Sequence, residues 1–197
     1  GIAPAGFFFR ALCHGHPPRG STSSSLAAMA SGVVFQGGSL DLLDTIAEIE
    51  LASYPPDEPA TKEKLHYRMT AAGDYFLVAL QDGKVAGYVC STVAEGDTLT
   101  HESMDLHSPG GSLLCVHSVV VEASHRRQGL GTHILKEYVE RMKALRGEGD
   151  APRIKKMALI CKENLVEFYK KCGFNMVGPS PVVHGADPWF EMDIVNK

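Results

Sequence analysis

The chain has 197 residues, 44% of them hydrophobic and 21% charged, which fits one globular domain and falls short of two. A formal net charge of −4 gives no footing for a nucleic-acid partner, and no apolar run approaches the ~20 residues that a membrane-spanning helix needs. The five cysteines are odd in number, widely spaced and free of any C-x-x-C pair, so they read as reduced thiols of a cytoplasmic protein, with no metal site implied.

Residues 1–32 form an N-terminal extension. Its first part holds Arg10, Arg19 and the run Ser21-Thr22-Ser23-Ser24-Ser25, and no Asp or Glu occurs before Asp41. That composition leaves three readings open: an organellar transit peptide, a disordered extension, or sequence upstream of a start at Met29. The folded domain is expected over 33–197, opening on a short strand at Val33-Val34-Phe35. Leu42, Leu43, Ile46 and Ile49 recur at helical spacing and predict a helix over 40–53. Tyr54-Pro55-Pro56 must break it, because proline lacks an N–H and restricts its predecessor. A second helix is expected over 61–71, with Thr61 or Ala60 near its cap.

Strands over 75–80 and 84–92 flank Asp82-Gly83, a hairpin turn signal. Residues 93–111 read as a loop with a short helical turn, and 113–121 as a long β-branched strand. The amphipathic stretch 132–145 turns Ile134, Leu135, Tyr138, Val139, Met142 and Leu145 to one face, and the run 147–152 ends it. A strand over 156–161, a helix over 164–172 and final strands over 174–177 and 189–194 complete the chain. Helices and strands alternate only in part, so the expected fold is α/β with a mixed sheet rather than a doubly wound one.

The most informative segment runs from Val119 through Arg126, Arg127, Gln128, Gly129, Leu130, Gly131 and Thr132. A buried strand enters a basic, glycine-spaced loop that opens an amphipathic helix. Unpaired N–H groups at a helix start, the helix dipole and two arginines favour a phosphate group. No Gly-Lys-Ser/Thr occurs, and position 134 is Ile where a dinucleotide fingerprint needs a third glycine, so neither of those two phosphate loops is present.

The remaining pattern, R-x-x-G-x-G on strand, loop and helix, resembles the pyrophosphate loop of GNAT acetyltransferases. Asn164, Phe168-Tyr169 and Gly173-Phe174 resemble that superfamily's following helix and strand, with Phe168 expected in the core. Leu99-Thr100-His101-Glu102-Ser103, Leu106-His107-Ser108-Pro109 and Phe190-Glu191-Met192 resemble the serotonin (arylalkylamine) N-acetyltransferase family. At the two positions where vertebrate members carry histidines this chain has Cys115 and His117, and their Cys-Pro-Leu loop is replaced by Tyr54-Pro55-Pro56-Asp57.

The resemblance implies a GNAT fold: a mostly antiparallel mixed sheet with a bulged central strand, flanked by helices. It implies acetyl-CoA as co-substrate and a small-molecule primary amine as acceptor, an arylalkylamine such as serotonin or tryptamine. Alternatives keep the fold but take a polyamine or a protein amino group, or bind acyl-CoA without catalysis. The acceptor amine is protonated at neutral pH and must lose a proton before it attacks. His117 is the candidate base, since an imidazole ordinarily titrates near about 6.5. Val119, Val120 and Val121 are expected to present backbone N–H groups to the oxyanion, and Tyr169 matches the family's general acid. Arg126 to Thr132 together with Asn164 form the expected cofactor site. His101 and His107 fall in the loop expected near the acceptor, and Pro55, Pro56 and Trp189 are expected to line its pocket.

Overall fold

The computed structural model describes residues 32–148, 153–182 and 188–196. The expectations for the extension up to Ser31, and for residues 149–152 of the helix-ending run, lie outside those residues. Strands β1 (Val33–Gly37), β2 (Phe76–Gln81), β3 (Lys84–Ala94), β4 (Leu113–Val121), β5 (Lys156–Cys161), β6 (Asn175–Pro179) and β7 (Phe190–Val195) form one sheet. Their order is β1-β2-β3-β4-β5-β7-β6. Every neighbouring pair is antiparallel except β4 and β5, so the sheet is mixed and mostly antiparallel, as expected.

Helices α1 (Leu43–Leu51), α2 (Lys62–Ala71), α3 (His101–Asp105), α4 (Leu130–Ala144) and α5 (Val166–Lys171) flank the sheet. Helix α1 follows a single 3-10 turn (Leu40–Leu42) and ends before the proline pair. Thr61 caps α2, accepting from the Lys64 N–H at 3.2 Å. Thr100 and Ser103 bond reciprocally to start α3 inside the expected loop. The Asp82-Gly83 turn has φ of 51° and 74°, the two left-handed residues that a tight hairpin between right-twisted strands demands.

Two boundaries differ from the sequence reading in ways that matter. Helix α4 begins at Leu130 rather than Thr132, so Leu130, Gly131 and Thr132 make its first turn. A 3-10 turn (Glu163–Leu165) delays α5 to Val166. Both starts are irregular chain that apolar periodicity cannot register.

The core has two faces. Helices α4 and α5 cover one with Ile134, Leu135, Tyr138, Val139, Met142 and Tyr169, against Leu77, Val89, Val93, Leu114 and Val116. Helices α1 and α2 cover the other with Leu43, Ile46, Leu65 and Met69, against Phe76, Val78, Tyr88, Cys90 and Val120. Within β4, Leu114 and Val116 face α4 while Val120 faces α1, four residues further on. Strict alternation would put all three on one face, so the strand changes parity between them. The register locates the change: Cys90 pairs with Ser118 and Ser91 with Val116, leaving His117 as the extra residue of a β-bulge.

Candidate active site

Strands β4 and β5 pair only at Leu113–Lys156, Leu114–Met157 and Cys115–Ala158. Beyond that, β4 continues to Val121 on β3 and β5 continues to Cys161 on β7. Among the described residues no ladder joins them there, and a wedge opens between two parallel strands. Alternate residues of a strand aim their N–H groups at opposite edges, so β3 takes one set from 116–121 and the other set faces the wedge. The bulge at His117 lies where the wedge begins.

His117 is half-buried, and its Nε2 stands 2.8 Å from the Thr92 hydroxyl of β3. Ser118 turns to the same face and donates to Glu50 of α1 at 2.9 Å. Glu50 is only 1% exposed. Its other partners are the Tyr88 hydroxyl and the Ala60 N–H, the latter at 3.0 Å. One buried carboxylate thus ties together α1, β3, β4 and the loop after the proline pair. Burial, and then the Glu50 charge, hold the Tyr54 and Tyr88 phenols well above their ordinary range. Arg68 of α2 reaches the same cluster, 3.8 Å from the Cys90 sulfur.

Tyr169 belongs to α5, the helix that follows β5. It is buried against Phe174, and burial, then Cys161 and Cys172, raise its phenol above the ordinary range, so it stays a proton donor. Phe168, expected in the core, is instead half-buried and packs on the core's rim, because α5 turns Tyr169 inward. Cys115 is fully buried, and burial pushes its thiol to about 11, which leaves it unsuited to nucleophilic work.

The wedge opens toward the glycine-spaced loop. Arg127 (φ 62°) and Gly129 (φ 83°) are both left-handed around Gln128, a path that curls successive N–H groups inward. The first turn of α4 has no side-chain cap, so the N–H groups of Leu130, Gly131 and Thr132 remain available to an anion. A Cβ on Gly131 would lie 3.3 Å from Val121 and 3.6 Å from Phe168, so glycine lets this helix end sit tightly against β4 and α5. Arg127 is exposed at the loop surface. Arg126 folds back instead, its Nε donating to the Val121 carbonyl and its Nη2 to the Ser53 hydroxyl, both at 2.8 Å. Asn164 lies on the exposed 3-10 turn after β5.

Glu122 begins the loop by accepting from the Ser124 N–H and pairing with His125 Nδ1, each at 2.9 Å. Bonds from Ser124 and His125 hold its carboxyl down to about 2. Pro55 and Pro56 are exposed on the loop between α1 and α2. That loop reaches Trp189 through Glu58 and Lys162: Lys162 Nζ lies 2.6 Å from Glu58 and 5.5 Å from the indole centroid. His101 starts α3, while His107 packs against Tyr75 and accepts from the Val93 N–H, near the start of β4 and away from the loop end of the wedge.

Sequence reasoning missed Glu50, Ser118, Thr92, Glu122 and the Glu58–Lys162 pair. Glu50 did leave a signal, for it lies four residues after Ile46 and seven after Leu43, on the buried stripe of α1. Glu122 bonds its near neighbours Ser124 and His125, whereas Thr92, Ser118 and the Glu58–Lys162 pair depend on contacts distant in sequence.

Among the described residues no group of three or more His, Cys, Asp or Glu is arranged to hold a metal, and no helix is long and apolar enough to cross a membrane.

The model of the Acetyltransferase (GNAT) family matches residues 43–174. Serotonin N-acetyltransferase of Mesocricetus auratus is 28% identical over 134 residues, covering 68% of this chain and 62% of that protein. The chain therefore spans less than two thirds of the length of that relative. Among solved structures, the GphF GNAT-like decarboxylase in complex with isobutyryl-CoA aligns at TM-score 0.69 and 16% identity, over 83% of this chain and all of the other. The putative acetyltransferase yncA from Salmonella typhimurium, with its cofactor acetyl-CoA, aligns at TM-score 0.61 and 14% identity, over 85% and 95%. At such identities the likeness establishes the fold, and a decarboxylase among the neighbours means that the fold alone does not fix the reaction.

Proposed function

This chain belongs to the GNAT acetyltransferase family, and from that premise we infer that it moves the acetyl group of acetyl-CoA directly onto the nitrogen of a primary arylalkylamine. The observation that carries this reading is the bulge at His117, where β4 parts from β5. It sets an imidazole beside the stretch of β4 that, among the described residues, β5 leaves unpaired.

In this reading an extended thioester arm lies between the two strands, with its pyrophosphate on the first turn of α4 and the curled loop before it. Arg127 supplies exposed charge there, and Arg126 acts by pinning the loop to Val121 and Ser53. Asn164 flanks the arm on the β5 side. The N–H groups along Val119, Val120 and Val121 that face the wedge receive the thioester oxygen as it gains charge. His117, oriented by Thr92, takes the proton from the acceptor's ammonium. The amine nitrogen then attacks the carbonyl carbon, the C–S bond breaks, the Tyr169 hydroxyl gives its proton to the departing thiolate, and the phenolate recovers the proton that the acetylated nitrogen sheds. Burial keeps Tyr169 protonated until that moment.

The acceptor class rests on two supports, the serotonin N-acetyltransferase relatives and the proximity of the Pro55-Pro56 loop to Trp189. The test is thiol release from acetyl-CoA with tryptamine, serotonin, phenylethylamine, spermidine and a lysine peptide. Turnover with the aromatic amines at micromolar to millimolar concentration is expected. Turnover only with spermidine or peptide would discard the acceptor class. Acetyl-CoA binding without turnover would discard catalysis. His117→Gln should depress turnover most at neutral pH and recover partly at alkaline pH, as free amine accumulates.

A further inference from the structure

The pair formed by Glu58 and Lys162 has no role in the chemistry above, yet its position is pointed. Glu58 sits on the loop between α1 and α2, which Glu50 holds down through Ala60 and which a Glu58 N–H bond to the Pro55 carbonyl turns inward. Lys162 directly follows the last residue of β5. Trp189 directly precedes β7, and its carbonyl is anchored by the Ser180 N–H at 2.8 Å. The Glu58 side chain is 10% exposed and that of Lys162 is 25% exposed. An ion pair this sheltered feels less solvent screening than a surface pair.

A carboxylate on one side and an indole face on the other are the chemistry that recognises a primary alkylammonium. Lys162 Nζ is itself a primary alkylammonium, 2.6 Å from the carboxylate and 5.5 Å from the ring centroid. The acceptor proposed above carries the same group. We propose that Glu58 and Trp189 form the receiving subsite for the acceptor's ammonium, and that Lys162 is a built-in stand-in which fills it until an amine displaces it. This deepens the arylalkylamine reading and rests on it.

Two consequences follow. A tethered side chain competes at an effective concentration of about millimolar, so with its own dissociation constant for the subsite below that value it raises the apparent dissociation constant of an amine several-fold. The displaced Lys162 stays at the rim as a positive charge. A monocation with an apolar tail tolerates that neighbour, whereas a polyamine brings further cations against it. The pair therefore selects for a single charge as well as holding the subsite ready.

The chain has one tryptophan, Trp189, so its fluorescence reports on this subsite alone and needs no turnover. The full chain, saturated with CoA, is titrated with phenylethylamine, which does not emit under tryptophan excitation. Wild type should show a saturable change. Lys162→Met, which removes the charge and keeps an unbranched side chain, should bind at least about three-fold tighter. Lys162→Arg should behave as wild type, and Glu58→Gln should bind more weakly. In steady state the KM for the amine should follow the same order with the KM for acetyl-CoA unchanged, and Lys162→Met should gain more for spermidine than for phenylethylamine. Far-ultraviolet circular dichroism checks that each variant is folded. Equal or weaker amine binding by folded Lys162→Met overturns the proposal. If aromatic amines turn over and Lys162→Met changes nothing, the acetyl-transfer reading stands and the stand-in falls. If Lys162→Met binds more tightly and no amine turns over, the subsite stands and that reading falls.

Discussion

Replacing Glu50 by Ala should destabilise the protein by about 3–4 kcal/mol. The carboxylate accepts from the Tyr88 hydroxyl, the Ser118 hydroxyl and the Ala60 N–H. Tyr88 is fully buried and Ser118 is 4% exposed, so alanine would strand two hydroxyls and one part-buried N–H. An unsatisfied buried donor costs about 1–3 kcal/mol. Hydroxyls can swing to other partners and water can enter the vacated space, so the low end of that range applies to each of the three. Against a total stability of about 5–15 kcal/mol this is a large fraction. It corresponds to a fall in Tm of roughly 10 °C for a domain of this size. Glu50→Gln keeps one acceptor oxygen and the volume, and only the Tyr88 bond must reverse, so about 1 kcal/mol is expected. The assay is urea unfolding followed by near- and far-ultraviolet circular dichroism, comparing midpoints at constant slope. A loss below about 1 kcal/mol for Glu50→Ala, or equal losses for both variants, would refute the claim that this carboxylate knots the sheet to α1.

Three more outcomes can be measured. Tyr169→Phe should lower kcat while leaving the KM for acetyl-CoA near wild type; a loss of binding instead would make the phenol a packing residue. Gly131→Ala should raise the KM for acetyl-CoA with a smaller effect on kcat, since its methyl crowds the Val121 side chain at 3.3 Å and adds bulk to the first turn of α4; an unchanged KM would count against that turn as the phosphate site. Burial first, and then Arg153, lower the pKa of His107, with Asp74 opposing, and the neutral ring accepts the Val93 N–H. The unfolded chain then binds the proton more readily, so the stabilisation is present above the ordinary histidine pKa and fades as pH falls below it. His107→Asn should flatten the stability profile between about pH 7 and 5, and a profile as steep as wild type would reject the assignment.

Most of the fold was legible because it is written in short-range patterns. The stripe of Ile134, Leu135, Tyr138 and Met142, the breaking prolines and the Asp82-Gly83 turn depend on neighbours within a few residues, where backbone sterics and helical or strand periodicity act. The loop proposed to hold the phosphate was legible for the same reason, since strand, glycines and helix are contiguous. Even the start of α4, missed by two residues, lay within that motif. Glu50 was half legible, a carboxylate on a buried stripe whose partners could not be named.

What the sequence by itself determined is therefore the local grammar: the elements, their punctuation, and one glycine-spaced loop that opens a helix. Only the tertiary structure decided that β4 bulges at His117 and parts from β5 after Cys115, because a bulge is defined by the register of a neighbouring strand. It also decided that Arg126 is spent on Val121 and Ser53, and that Glu58, Lys162 and Trp189 meet. Those contacts join residues up to 104 positions apart, and no local propensity encodes a pairing whose strength comes from burial and from shared solvent exclusion.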